Sequence, residues 1–182
     1  MGEAKRRAGK GAAPKPLDEI QGFPFGDMIT DGECVMVDMH VRANATMGGR
    51  EGTRGIMLVH GDVLKQLIDG LPAVLNALRE AGGDRDVLPP PSRPIPPWDA
   101  GPRFGPQSPA MHLCTLFGVR DIAPELGAAV LVIGANDPRL GPDNSASADY
   151  LMGWSALLDF QAALPKALAL LKPHMKGRFR PH

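Results

Sequence analysis

Asp38, His40 and Arg42 alternate along one short stretch, and His60 stands two positions before Asp62. Imidazole and carboxylate side chains can hold a metal or an anion, and an imidazole beside a carboxylate can move a proton near neutral pH. Asp38, His40 and His60, with Arg42 at their edge, are therefore the candidate polar cluster. The bland alternative is that they line the solvated side of a half-buried sheet. A second set, Asp137, Asp143, Asn144 and Asp149 around Gly141, has the residue types of a calcium loop. It lacks the ligand register and the final bidentate acid of an EF-hand, so a solvated loop is the simpler reading. No nucleotide-binding glycine loop, nucleophile elbow or His-Glu-x-x-His is present. The reading is of a non-enzymatic protein with no cofactor and no metal; the alternative is a metal-dependent enzyme at Asp38, His40 and His60.

The elements that must carry these residues follow from periodicity. Val35, Val37, Met39 and Val41 alternate with the polar set, which predicts a strand over 34–42. A second strand is expected over 55–60, leading into a helix over 62–79 with Asp62 as its N-cap. In that helix Leu64, Leu67, Ile68, Leu71, Leu75 and Leu78 form one apolar stripe. At an offset of 93 positions Leu64 falls on Leu157, Leu67 on Phe160, Leu71-Pro72 on Leu164-Pro165 and Leu78 on Leu171. A proline inside a helix costs about 3 kcal/mol, so its recurrence at one lattice point predicts an internal duplication. The same offset predicts strands over 111–117, 128–133 and 149–154, with Ser155 as N-cap of a helix that ends near Lys172. Asp38 and His40 meet Leu131 and Ile133 in the second copy, so only one copy has the polar face.

The expected fold is α+β: two units of antiparallel strands followed by one helix, related by a pseudo-twofold axis. Residues 1–16 read as a disordered basic tail, 17–82 as the first unit with an irregular edge over 17–32, and 83–110 as a linker. Residues 111–173 read as the second unit and 174–182 as a basic tail. The linker holds nine prolines and favours extended polyproline geometry, with Trp98 and Phe104 as anchors or as contacts for another protein.

Charge divides the chain where the net value of zero hides it. Residues 1–16 carry +4 and residues 164–182 carry +5, which leaves −9 between them. Lys5, Arg6, Arg7, Lys10, Arg178 and Arg180 are thus candidates for holding a polyanion by counterion release. Only Cys34 and Cys114 are present, with no paired spacing, and no run is long enough to cross a bilayer or serve as a signal core. A soluble, cytoplasmic protein without a membrane partner is expected.

The stretches 55–78 and 150–171, each a strand, a cap and a leucine-rich helix, resemble the units of the Whirly-type and positive-cofactor-type single-stranded nucleic-acid-binding proteins. The resemblance implies a curved sheet that meets single-stranded nucleic acid, aided by a basic N-terminal tail, with Arg42, Arg54 and Arg120 at strand ends as contacts. Stacking rings, which such platforms use, are scarce on these strands. The order of Asp38-x-His40, Gly61-Asp62 and Gly134-Ala135-Asn136-Asp137 is similar to that of metallophosphoesterase motifs, but Gly-Ala-Asn-Asp stands where that family has Gly-Asn-His and no His pair follows. Partners expected from the whole are single-stranded nucleic acid or another polyanion, with a protein-protein adaptor or self-associating module as the alternative.

Overall fold

The computed structural model describes residues 17–29, 33–47, 49–97, 111–136 and 145–175. The expected tail at 1–16, the acidic loop at 137–144 and both linker aromatics lie outside them, as does the expected tail at 174–182 apart from its first two residues, which α2 includes.

Seven strands and two helices follow in the order β1 (Asp18–Gly22), β2 (Phe25–Ile29), β3 (Cys34–Arg42), β4 (Glu51–His60), α1 (Gly61–Glu80), β5 (Met111–Ala123), β6 (Ala128–Asn136), β7 (Ser145–Gly153) and α2 (Trp154–Met175). Hydrogen bonding runs β1-β7-β6-β5-β4-β3, and β3 returns to β1, so six strands close into a barrel. β1 and β2 are one path along β3, with Glu19 opposite Arg42 at one end and Ile29 opposite Cys34 at the other. The path breaks at Pro24, which has no N–H for the ladder, and there the Asp38 amide donates to the Pro24 carbonyl at 3.0 Å.

Two seams are parallel. β4 meets β5 from Ile56↔Met111 to Leu58↔Leu113, and β1 meets β7 at Asp18↔Tyr150 and Glu19↔Leu151. The first needs a long crossover, which α1 and the proline-rich segment provide.

One core spans both halves. Leu64, Leu67, Leu71, Leu75 and Leu78 of α1 are buried as the stripe requires, and Leu157, Phe160, Leu164 and Leu171 do the same on α2. Val35, Val37, Met39 and Val41 supply the inner face of β3. At the centre, Phe23, Phe117 and Phe160 stand with ring centroids 5.4 to 5.6 Å apart.

Three expectations are corrected. Only part of the stretch at 17–32 is an edge: Ile20 and Phe23 are fully buried and β1 is the strand that closes the barrel, whereas β2 pairs with β3 alone at the end of the sheet. The N-cap of α1 is His60, whose Nδ1 accepts from the Asp62 amide at 3.2 Å, while Asp62 sits in the first turn. The first turn of α2 is capped from a distance, because Asp86 accepts from the amide and hydroxyl of Ser155. Strands β4, β5, β6 and β7 also begin or end beyond the predicted spans. Among the described residues no helix is long and apolar enough to cross a membrane.

Candidate functional site

Arg42 ends β3 on the outer face, where alternation places it beside Asp38 and His40. Outward-facing arginines are normally solvated, yet this one is 3% exposed. Its neighbours explain how. The register sets Glu19 of β1 and Glu51 of β4 directly opposite it on either side. The guanidinium donates to Glu19 Oε2 and lies 3.7 Å from Glu51. It also donates to the carbonyls of Pro89 at 2.6 Å and Pro90 at 3.3 Å. A run of prolines offers acceptors and no donors, so a fork of N–H groups is what can fasten it to a sheet.

The described part of the proline-rich segment is thus a strap across the barrel wall. At its start the Gly83 amide donates to the Leu78 carbonyl at 2.8 Å. Asp86 then holds the start of α2, Pro89 and Pro90 lie over Arg42, and the Ser92 amide and hydroxyl donate to Glu51. Gln21 adds a bond to Glu51 at 3.2 Å. Further on, Ile95 lies so close to Gly22 that a Cβ there would come within 2.4 Å of its Cγ2. Only glycine allows that approach.

Burial raises the pKa of Glu19 above its ordinary value, although the Arg42 charge and hydrogen bond beside it pull the other way. Glu51 moves down, chiefly because Ser92 donates to its charged form and secondarily through Gln21 and Arg42. Between strap, β1 and the first turns of α2 lies a cavity of about 480 Å³. Its walls are mostly proline, Leu88, Ile95 and Ala156, and its polar groups are Glu19, Gln21, Asp86, Ser155 and Asp159. Volumes of roughly 300–1,000 Å³ with apolar walls and few polar groups are the usual form of small-molecule sites.

The expected cluster does not assemble. Asp38 and His40 form a pair at 3.5 Å, both partly buried. His60 lies opposite Cys34, six residues along β3 from His40 and so about 20 Å away. It pairs with Asp62 instead, at 3.5 Å. Among the described residues no three His, Cys, Asp or Glu side chains stand close enough to share a metal ion.

The expected cationic contacts also separate. Arg42 is enclosed under the strap and does not face an external anion. Arg120 is exposed on β5 but bonded to Asp149 on β7, and Arg54 lies in β4 with only its backbone described. Lys5, Arg6, Arg7, Lys10, Arg178, Arg180, Trp98 and Phe104 lie outside the described residues. Among the described residues Val87, Leu113, Leu116, Leu158 and Leu170 are exposed large aliphatic side chains, and Leu113 and Leu116 share the outer face of β5.

Sequence reasoning missed Glu19, Glu51, Asp86 and Ser92. The signal for them was indirect: three consecutive prolines inside a chain that folds around them need donors from elsewhere. Comparison with family models, curated proteins and solved structures returns no match.

Proposed function

We propose that this chain is a non-enzymatic binding protein that takes a small ligand into the cavity between strap, β1 and α2. The observation that carries the reading is the cavity itself, of ligand size, with apolar walls and a small set of polar groups. The strap supports it further, because a segment fastened at Asp86, Arg42, Glu51 and Gly22 makes a preformed wall.

We also infer that the barrel arose by internal duplication. The helix starts, Gly61 and Trp154, and the first strand starts, Asp18 and Met111, both repeat at the 93-position offset, and Pro72 and Pro165 recur inside the helices. In this reading the strap is the segment that joined two β-β-β-α units and then became part of the site.

The structure gives less support to the nucleic-acid reading. A single-strand platform uses stacked rings and free cations, whereas Arg42 is enclosed and Arg120 is ion-paired. The second reading, contact with another protein, is favoured by one observation, the exposed pair Leu113 and Leu116 beside Leu58.

A ligand-detected NMR screen of small amphiphilic molecules tests the proposal, run in parallel on Gly153→Val. A Cβ at Gly153 would meet Leu88 at 3.6 Å and Glu19 Oε1 at 3.9 Å, ordinary contacts, so the larger side chain fills space in the cavity. Hits that bind the parent and lose about tenfold or more on Gly153→Val are expected. Equal binding to both proteins overturns the reading.

A further inference from the structure

Of the polar groups that line the cavity, Glu19 and Gln21 are the buried ones, and of the two only Glu19 carries a charge. The residue is 6% exposed. One carboxylate oxygen, Oε2, accepts from Arg42. The other, Oε1, accepts no hydrogen bond from any described residue, and it lies 3.9 Å from the Cβ position of Gly153, another residue of the lining. Oε1 is not one of the fully enclosed atoms without a partner, which among the described residues include Asp38 Oδ1 and Arg42 Nε, so it opens to the cavity and is free to accept from a ligand's donor.

The rest of the lining sets the charge and shape of that donor. Asp86 and Asp159 join Glu19, and among the described residues no lysine, arginine or histidine lines the cavity. Asp86 is already committed to the amide and hydroxyl of Ser155. Asp159 is exposed on α2, so it acts at the mouth by charge alone. Among the described residues no aromatic ring lines the cavity, so these residues offer a quaternary ammonium no cage of ring faces. Proline rings, Leu88 and Ile95 offer aliphatic surface instead.

We infer that the cavity selects a small organic cation with N–H donors on an aliphatic body, an alkylammonium or alkylguanidinium, with its charged head on Glu19 Oε1. The inference rests on the small-ligand reading above and adds the ligand's chemical class. The head donates to Glu19 Oε1 at the cavity wall in a charge-assisted hydrogen bond, stronger than one between neutral groups. The aliphatic body lies along the strap, and Asp159 favours entry of a cation.

The test is an amide-shift titration of the full-length chain with hexylammonium, hexanol, hexanoate and tetramethylammonium. Hexylammonium is expected to move the amides of Gly153, Ser155 and Ala156, with hexanol and tetramethylammonium weaker by about tenfold and hexanoate without effect. Glu19→Gln is expected to weaken hexylammonium by about tenfold or more. Because that variant leaves Arg42 without its ionic partner, Asp159→Asn provides a second arm on the exposed helix surface. There a weakening of about two- to fivefold is expected for hexylammonium and none for hexanol.

Hexanol or hexanoate binding as tightly as hexylammonium overturns the cation inference while leaving the cavity as a ligand site. Tetramethylammonium binding equally removes the hydrogen bond to Glu19. Unchanged affinity for hexylammonium in Asp159→Asn, or in folded Glu19→Gln, also overturns the inference. Movement of no cavity amide by any probe overturns the small-ligand reading with it.

Discussion

Arg42 shows how one side chain decides whether a polar face is solvated or sealed. Its alternation with Val41 put it on the outer face, and its burial follows from acceptors that no nearby sequence pattern announces: Glu19 and Glu51 across two ladders and two proline carbonyls. Removing one member of a buried ion pair leaves the other without compensation. Arg42→Met is therefore expected to lower the unfolding free energy by about 3–5 kcal/mol, read by urea denaturation; a loss under about 1 kcal/mol would mean the pair is solvated. The two glutamates titrate in opposite senses. Glu51, held below its ordinary 4.5, stabilises the fold above that value, and the contribution is lost as pH falls through its lower folded pKa. Glu19, held above 4.5, binds its proton more tightly when folded, so stability declines as pH rises from 4.5 through its raised value. Glu51→Gln should flatten the acid limb of stability against pH, and Glu19→Gln should remove the decline on the other side. Cys34 and Cys114 give a third residue-scale expectation. Burial pushes both thiols up, Cys114 to about 11, so both stay protonated at neutral pH and react poorly. Labelling by a thiol reagent should follow global unfolding; rapid stoichiometric labelling of the native protein would contradict their placement.

The strap is the element that sequence patterns described only in part. Proline content made an extended crossover over 83–110 legible, and its described part, 83–97, lies along the barrel wall. What composition does not encode is attachment, because the fastening groups come from β1, β3, β4 and α2, far away in sequence. Gly22 is the most specific of these points: with a Cβ only 2.4 Å from Ile95 Cγ2, Gly22→Ala must displace the strap. Hydrogen exchange at residues 92–95 is expected to accelerate by an order of magnitude or more, alongside a stability loss of about 1–3 kcal/mol. Unchanged exchange would show that the strap accommodates the methyl without lifting. The helices were more legible, since their leucine stripes appear where the 3.6-residue period put them. Their caps were not: His60 and Asp86 do work that the sequence assigned to Asp62 and Ser155, because a cap can come from an unexpected residue type or from a distant segment.

At the scale of the molecule, closure makes the halves interdependent. The seams β4–β5 and β1–β7 join one half to the other, and Phe23 of the first half meets Phe117 and Phe160 of the second. Unfolding should be a single transition, coincident by far-ultraviolet circular dichroism and by hydrogen exchange of both helices. Separate transitions for α1 and α2 would contradict a shared core. The α+β class and most strand positions were readable, since alternation and helical period are local. Barrel closure was not, because the residues that achieve it, 18–22, are few, end at Gly22 and are followed at once by Pro24, and so look like an edge. The same limit explains the candidate site. Asp38, His40 and His60 are near in sequence and apart in space, whereas Glu19, Asp86 and Asp159 are far apart in sequence and line one cavity.

The claim that most depends on this closed arrangement is that the cavity beneath the strap, rather than the outer sheet, is where the protein binds. The most direct test is an amide-shift map of the labelled chain with hexylammonium and, separately, with a single-stranded oligonucleotide at about 150 mM salt, where generic electrostatics are screened within about 8 Å. Hexylammonium shifts are expected only at Gly153, Ser155, Ala156 and the strap amides of Leu88, Ser92, Arg93 and Ile95, with no oligonucleotide shifts on the strands. Oligonucleotide shifts along β4, β5 and β6 with a silent cavity would contradict it and return the sheet surface to the centre of the protein's function.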